Sequence, residues 1–295
     1  MVVENGIAEI ESRIPDGFDT EMRLALLLGI ERRQRLAVTE HSSGVARNAV
    51  ALAKNLRLED YEVEELREAA ILHDIGKLAI PDSILRKPGK LDPDEMAVMK
   101  QHAMAGYRLL GEDAPRAVRE VARFHHERYD GHGYEGLKGE NIPLYARIVC
   151  IADVLDALTQ ERDYKRGMPE EDALIAMTND VPSPGFGRRG FDPFLLRRFV
   201  SMRLASEDFV ASPENRATLE AYARTPPMDD VPGGWEENEG WHVKASGHRI
   251  RYCIADSGNR KMLQMRGPTG HVQFRSGPKG NDVEAVSEAE DAPRM

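Results

Sequence analysis

Six of the nine histidines fall between His41 and His132, and several stand beside a carboxylate or another histidine. His73-Asp74 ends an apolar stretch in AAILHDIGK, and His102 lies in KQHAMAGYRLL. His125-His126 follow in ARFHHERYDG, and Asp153 interrupts the apolar run RIVCIADVLDALT. Neutral imidazoles and carboxylates are the donors that Fe, Mn and Zn prefer. Polar side chains in apolar helical segments are costly unless paired or bound to metal. An adjacent His and Asp at a helix end can both reach a metal cluster, where one carboxylate can bridge two ions. Two ions a few ångströms apart form a template for phosphoryl chemistry. Each residue alone has a plainer reading: His41 as an ordinary core or surface histidine, His125-His126 as a surface pair, Asp153 as an acceptor for a backbone amide. Applied to the whole set, that reading needs several separate coincidences.

The spacing of apolar residues predicts helices that would position these groups. Met22, Leu26, Ile30 and Leu36 imply one from about 19 to 37; Val45, Ala49, Leu52 and Leu56 imply a second from Glu40 to Leu56. A third is expected from Tyr61 to about Lys77. Three prolines between Pro81 and Pro93 break the pattern. Asp92 as N-cap, Pro93 at the first helical position and Glu95 closing a capping box then start a helix expected to reach Leu110. Another runs to about His126, one from Leu144 to Thr159, and one from Pro169 to about Thr178. Asp192-Pro193 and Ser212-Pro213 repeat the cap-then-proline signature. After RTPPMDDVPGG the runs WHVKA, HRIRYCIA, RKMLQMR and HVQFR are rich in β-branched and aromatic residues and are separated by turn-like DSGN and GPTG. The fold class is therefore all-α with a small C-terminal antiparallel β element that packs on the helical body. The expected divisions are a helical lead-in over 1–38, a catalytic helical domain over 39–224, a linker over 225–234, the β element over 235–275 and a disordered tail over 276–295. His242, His248 and His271 lack ligand spacing and read as strand or turn residues.

A chain that is 41% hydrophobic over 295 residues can bury a sizeable core. Its net charge of −10 argues against duplex nucleic acid as a partner, although a local basic pocket for one small anion is compatible with it. LALLLGI is far too short to span a bilayer, and the N-terminus has no signal-peptide pattern, so no membrane partner is expected. Leu24 to Ile30 either packs on the bundle or forms a dimer helix. Cys150 and Cys253 offer neither a disulfide framework nor a CxxC pair, and a reducing cytoplasm is the expected location.

From about His41 to Phe199 the chain resembles the HD-GYP subgroup of the HD-domain metal-dependent phosphohydrolases. The resemblance rests on HSSGVARNAVALAKNL, AAILHDIGKLAIPDSILRKPGKL, HAMAGYRLLG, HHERYDGHGYEGLKGENIPLYARIVCIADVLDALTQERDYKRGM and GFDP. It implies an HD-domain helical bundle and metal ligands at His41, His73, Asp74, His102, His125, His126 and Asp153, with Asp74 bridging. His41 depends most on it. The implied cofactors are two divalent ions, Fe or Mn. The implied activity is hydrolysis of a cyclic dinucleotide, cyclic di-GMP first, by a hydroxide shared between the ions. Lys77, one turn after Asp74, would hold the scissile phosphate or the leaving oxygen, or else answers the helix macrodipole as a C-terminal lysine. Arg162 and Lys165 match the family's Arg-x-x-Lys element, a second phosphate clamp; as a bare charge cluster they would be a solvated loop. A hybrid cyclic dinucleotide is the alternative substrate, a catalytically silent docking module the alternative class, and a signalling protein or a second copy of the chain the expected partner.

The sequence also departs from the family. Ala37 stands where some members place the glutamate for a third metal, and the adjacent Glu40 would point about a quarter-turn away from His41, so two metals are expected. The loop DGHGYEG has Glu135 in place of the motif's proline and His132 where a small residue is common. Gly131 and Gly133 keep the loop's backbone freedom, and Tyr134, in a loop that borders the family's substrate pocket, is retained as a substrate contact. Asp163 also replaces a usual proline and adds a negative charge near the proposed clamp.

Overall fold

Helices with one apolar stripe must bury it against each other, and the central one must be apolar nearly all round. The computed structural model describes residues 2–14, 26, 27, 29, 36–161, 167–179 and 190–224, with the backbone alone for 36–39 and for short strands between 235 and 287. Helix α1 spans Val2–Glu11, α2 Leu36–Asn55 and α3 Asp60–Leu72; a 3-10 turn follows over Ile75–Ala79. Next come α4 (Asp82–Leu85), α5 (Pro93–Lys100), α6 (His102–Leu110), α7 (Arg116–Phe124) and α8 (Leu144–Thr159), then α9 (Glu170–Thr178), α10 (Pro193–Leu204) and α11 (Pro213–Arg224). The fold is mostly helical.

The centre of the bundle is α8. Tyr145, Ile148, Val149, Ile151, Ala152, Val154 and Leu155 are all buried, which covers most of its circumference. Its neighbour α2 presents Val45, Ala49, Leu52 and Leu56 to the same core, and α3 presents Val63, Leu66, Ala69 and Ala70. A buried ion pair joins Arg147 of α8 to Asp192, whose other oxygen caps α10 through the amides of Phe194 and Leu195. Leu27 is fully buried in this core, so that part of the leucine-rich segment packs on the bundle. The rest of the helix expected from about 19 to 37 lies largely outside the described residues. The short helix α1 lies in the helical lead-in expected over 1–38, ahead of the one helix whose bounds were expected there; Val3, Ile7 and Ile10 seat it on the core.

Helix α2 begins at Leu36, ahead of Glu40, so His41 stands in its second turn. Two expected helices are interrupted, each beside a histidine. The third ends at Leu72 instead of about Lys77, because His73 Nδ1 donates to Ala70 O at 2.7 Å and the chain tightens into the 3-10 turn, with Lys77 N bonded to Asp74 O. The helix expected from Asp92 to Leu110 breaks at Gln101, whose amide bonds to Val98 O while His102 Nδ1 takes Met99 O at 2.7 Å. The Asp92–Glu95 capping box is formed in full. Helices α8, α9, α10 and α11 start within one residue of the expected positions.

Beyond Arg224 the backbone follows strands β1 (Trp235–Asn238), β2 (Trp241–Lys244), β3 (Arg249–Ile254), β4 (Lys261–Arg266), β5 (Val272–Gly277) and β6 (Val286–Ser287). The linker over 225–234 lies outside the described residues, as does the tail expected over 276–295 apart from the end of β5 and β6. No described helix is long and apolar enough to cross a membrane.

Candidate metal centre

His73 caps the C-terminus of α3, Asp74 opens the 3-10 turn, His102 opens α6 and His125 closes α7. Element ends allow this convergence, since side chains there point along the axis into a shared space. The imidazoles are fixed from behind. Nδ1 donates to Ala70 O in His73, to Met99 O in His102 and to Val121 O and Ala122 O in His125. That tautomer leaves Nε2 of each ring as the inward-facing lone pair, the usual way a protein orients histidine ligands.

Asp74 is the hub. Its Oδ1 lies 3.3 Å from His102 Nε2 and 3.7 Å from His125 Nε2, and its Oδ2 lies 3.4 Å from His73 Nε2. His41 Nε2 reaches Asp153 Oδ1 at 3.1 Å, and the same oxygen is 3.9 Å from His73 Nε2. The ring of His126 packs 4.0 Å from that of His125 and 5.0 Å from that of His102. Two donor groups share Asp74: Asp74, His102, His125 and His126 on one side, and His41, His73 and Asp74 on the other, the donor atoms of each within 4.8 Å of one another. His73 Nε2 and Asp74 Oδ1 are buried without a hydrogen-bond partner. Buried polar atoms are rarely left so in a purely structural cluster. The donor set and its orphaned atoms fit a pair of divalent cations.

Charge in the metal-free cluster is divided. Burial opposes ionisation of Asp74, but Lys77 and His73 hold its carboxyl well below the usual range. Burial likewise opposes the charge on Asp153, which the hydrogen bond from His41 nevertheless keeps well below the ordinary carboxylate value. His41 is raised to about 9: burial disfavours its charged ring, and its bonds to Asp153 and Asp156 outweigh that. Burial lowers His125, and lowers His126 further, so both are neutral donors.

The ammonium of Lys77 pairs with Asp74 Oδ2 at the mouth of the site. A 3-10 turn eclipses residues i and i+3, so Lys77 stands directly over Asp74. The Tyr134 ring lies over His126, with centroids 4.7 Å apart, and meets His102 edge-on at 6.3 Å. Burial and the carboxylates of Asp74 and Asp153 push its phenol up to about 12, which keeps it a neutral hydrogen-bond donor. His132 is exposed and turned toward Asp130, away from the cluster. In the loop, Gly131 adopts a positive φ, and a side chain at Gly133 would collide with the backbone of Glu127 and Arg128. Arg162 and Lys165 lie outside the described residues. The side chain of Ala37 also lies outside them, and Glu40 faces an open cleft of about 520 Å³ that it lines with Arg47 and Asp156.

Two functional-looking residues escaped the sequence reading. Asp156 accepts His41 Nδ1–H at 2.7 Å and so sets the tautomer that turns Nε2 inward. Its sequence signal was its place one helical turn after Asp153. Glu127 is 2% exposed and accepts the amides of Glu135 at 2.6 Å and Leu137 at 2.7 Å, which ties the Tyr134 loop to the residue after His126. Only its position directly after the histidine pair could have marked it.

Among known proteins, residues 22–187 match the family model described as HD domain. The chain is 45% identical over 181 residues to the cyclic di-GMP phosphodiesterase response regulator RpfG of Xanthomonas campestris pv. campestris, an alignment covering 59% of this chain and 45% of that protein. It is 41% identical to the cyclic di-GMP phosphodiesterase PA4108 of Pseudomonas aeruginosa, over 54% of this chain and 38% of that one. It is also 41% identical to the 3'3'-cGAMP-specific phosphodiesterase 2 of Vibrio cholerae, over 51% of this chain and 30% of that one. The chain thus spans less than half the length of each of these relatives. Since the match over 22–187 takes in more than half of its residues, and all of those that meet at Asp74, the chain belongs to the HD-domain family.

Proposed function

We propose that the chain is a metal-dependent phosphodiesterase that opens a cyclic dinucleotide, cyclic di-GMP first. The observation that carries this reading is the convergence on Asp74, with His73 Nε2 and Asp74 Oδ1 buried and unpartnered between two donor groups. The names of the relatives support the substrate class. In this reading one divalent cation, Fe or Mn, is held by His41, His73, Asp74 and Asp153, and a second by Asp74, His102, His125 and His126. Such ions supply Lewis acidity toward phosphoryl oxygens and lower the pKa of solvent water.

The protein's own groups do the rest. Asp74 is the shared carboxylate that fixes the two donor groups relative to each other. Lys77 moves its ammonium from Asp74 to the scissile phosphate or the leaving oxygen, where it answers developing negative charge. Tyr134, neutral and partly buried, borders the substrate and donates through its phenol. Arg162 and Lys165 clamp the second phosphate of the cyclic dinucleotide. The same reading divides the chain into a helical catalytic domain over 39–224 and a small antiparallel β element over 235–275 that covers the domain or meets a partner. The partner is a signalling protein or a second copy, and the setting is the reducing cytoplasm.

A second substrate, a hybrid cyclic dinucleotide, is favoured by Glu135, which stands in place of the motif's proline beside Tyr134 and pairs with Arg123, and by the relative named as 3'3'-cGAMP-specific. A silent docking module would need no complete donor set. Product analysis after incubation of iron- or manganese-loaded protein with cyclic di-GMP and with 3'3'-cGAMP decides among these. Metal-dependent appearance of a linear dinucleotide or mononucleotides is the expected result. No hydrolysis of any cyclic dinucleotide overturns the reading.

A further inference from the structure

Glu135 directly follows Tyr134, and its carboxylate forms a bidentate pair with Arg123, Oε1 at 2.8 Å from Nε and Oε2 at 2.7 Å from Nη2. Arg123 stands two residues before His125 in the last turn of α7. One ion pair therefore ties the residue beside Tyr134 to the helix end that carries the histidine pair. Arg123 is already held before it meets Glu135: its guanidinium lies 4.9 Å from the Phe124 ring and 5.3 Å from the Tyr107 ring. A pre-ordered guanidinium loses less side-chain entropy when it pairs.

The backbone adds a second fastening at the same residue. The amide of Glu135 donates to buried Glu127. A proline at 135 would have no hydrogen to give and no charge for Arg123. Glutamate thus supplies two tethers that a proline could not, and the ring of the preceding Tyr134 rests on His126 with the Lys100 ammonium 5.3 Å from its centroid. We propose that Arg123 and Glu135 are positioning residues for substrate: they seat Tyr134 over the histidine cluster and so set the affinity for the cyclic dinucleotide. The proposal rests on the phosphodiesterase reading, because the ligand that Tyr134 meets is the substrate of that reaction.

The size of the effect follows from exposure. Both side chains are about 30% exposed, so solvent screens the pair and its loss loosens the loop without unfolding it. Among the described residues, neither side chain is hydrogen-bonded or ion-paired to a histidine or aspartate of the cluster, so KM should move and kcat should not. The test compares metal-loaded wild type with Arg123→Gln, Glu135→Gln and the exchanged pair Arg123→Glu/Glu135→Arg. Arg116→Gln, which breaks the exposed Arg116–Glu120 pair at the other end of α7, is the control. Amide hydrogen exchange over 130–138 and the kinetics with cyclic di-GMP are read together. Each single variant is expected to speed exchange and raise KM about threefold, with kcat and metal content unchanged. The exchanged pair is expected to recover most of both effects, and the control to alter neither. Unchanged exchange in the single variants overturns the clamp. Faster exchange with unchanged KM overturns its role in substrate binding. If wild type hydrolyses no cyclic dinucleotide, the phosphodiesterase reading has failed, and exchange alone then decides whether the pair fastens the loop.

Discussion

Asp156 accepts a 2.7 Å hydrogen bond from His41 Nδ1 across 115 residues of sequence, and this bond turns His41 Nε2 toward Asp153 and the cluster. The two residues lie on α2 and α8, the helices that form the bundle's central pair. The packing of the core and the aim of one ligand-type side chain are therefore the same event. Asp156→Ala removes the acceptor but leaves every cluster donor in place. It should weaken metal binding roughly 10- to 100-fold, as read by competition with a chromophoric chelator. Unchanged affinity would show that His41 needs no orienting partner.

Room for that carboxylate comes from Gly44, where a methyl group would overlap Asp156 Oδ1. Gly44→Ala must push Asp156 off His41 or part α2 from α8. Overpacking of this kind costs about 1–3 kcal/mol, so a lower melting temperature is expected together with reduced metal retention. A variant as stable as wild type that binds metal equally well would refute this packing argument.

His41 also predicts a pH effect. Its pKa in the metal-free fold is raised from 6.5 to about 9. Its pairing with Asp153 and Asp156 therefore stabilises the metal-free protein fully below 6.5, and that contribution is lost as pH rises through about 9. A cation requires the neutral ring. Metal loading at about pH 7.5 should thus expel about one proton from His41, seen by calorimetry as a dependence of binding heat on the ionisation enthalpy of the buffer. Equal heats in buffers of different ionisation enthalpy would contradict it.

Glu127 gives a prediction about the loop. Glu127→Ala leaves the amides of Glu135 and Leu137 without their acceptor. Each unsatisfied donor costs about 1–3 kcal/mol if it stays buried. Thermal unfolding should show a clear loss for alanine and a smaller one for Glu127→Gln, which keeps one acceptor oxygen. Equal stability of the two variants would mean that water replaces the carboxylate.

The parts of this molecule that sequence reveals are those with a local cause. The Asp92-Pro93 and Asp192-Pro193 starts are legible because N-cap and proline act within one turn. His73, Asp74, His102 and Asp153 stand out because histidines and aspartates seldom interrupt apolar helices, whereas His41 rested on the family resemblance. The breaks after Leu72 and at Gln101 were not legible. Apolar spacing over a single turn is much the same at periods of 3.6 and 3.0, and His73 and His102 bond to carbonyls that look free in sequence. Asp156 reads as one more solvent-facing helix carboxylate until α2 is packed against it. The Arg123–Glu135 pair joins a helix to a loop whose path no periodicity predicts.

If the groups around Asp74 form a two-metal centre, the metal content of the protein reports it. Wild-type protein dialysed after loading with iron or manganese should retain two ions per chain. Asp74→Ala should lose both together, because Asp74 belongs to both donor groups, while its helical circular dichroism is kept. Wild-type protein that retains no metal, or a folded Asp74→Ala variant that still holds two ions, would mean that the cluster is no two-metal centre shared through Asp74.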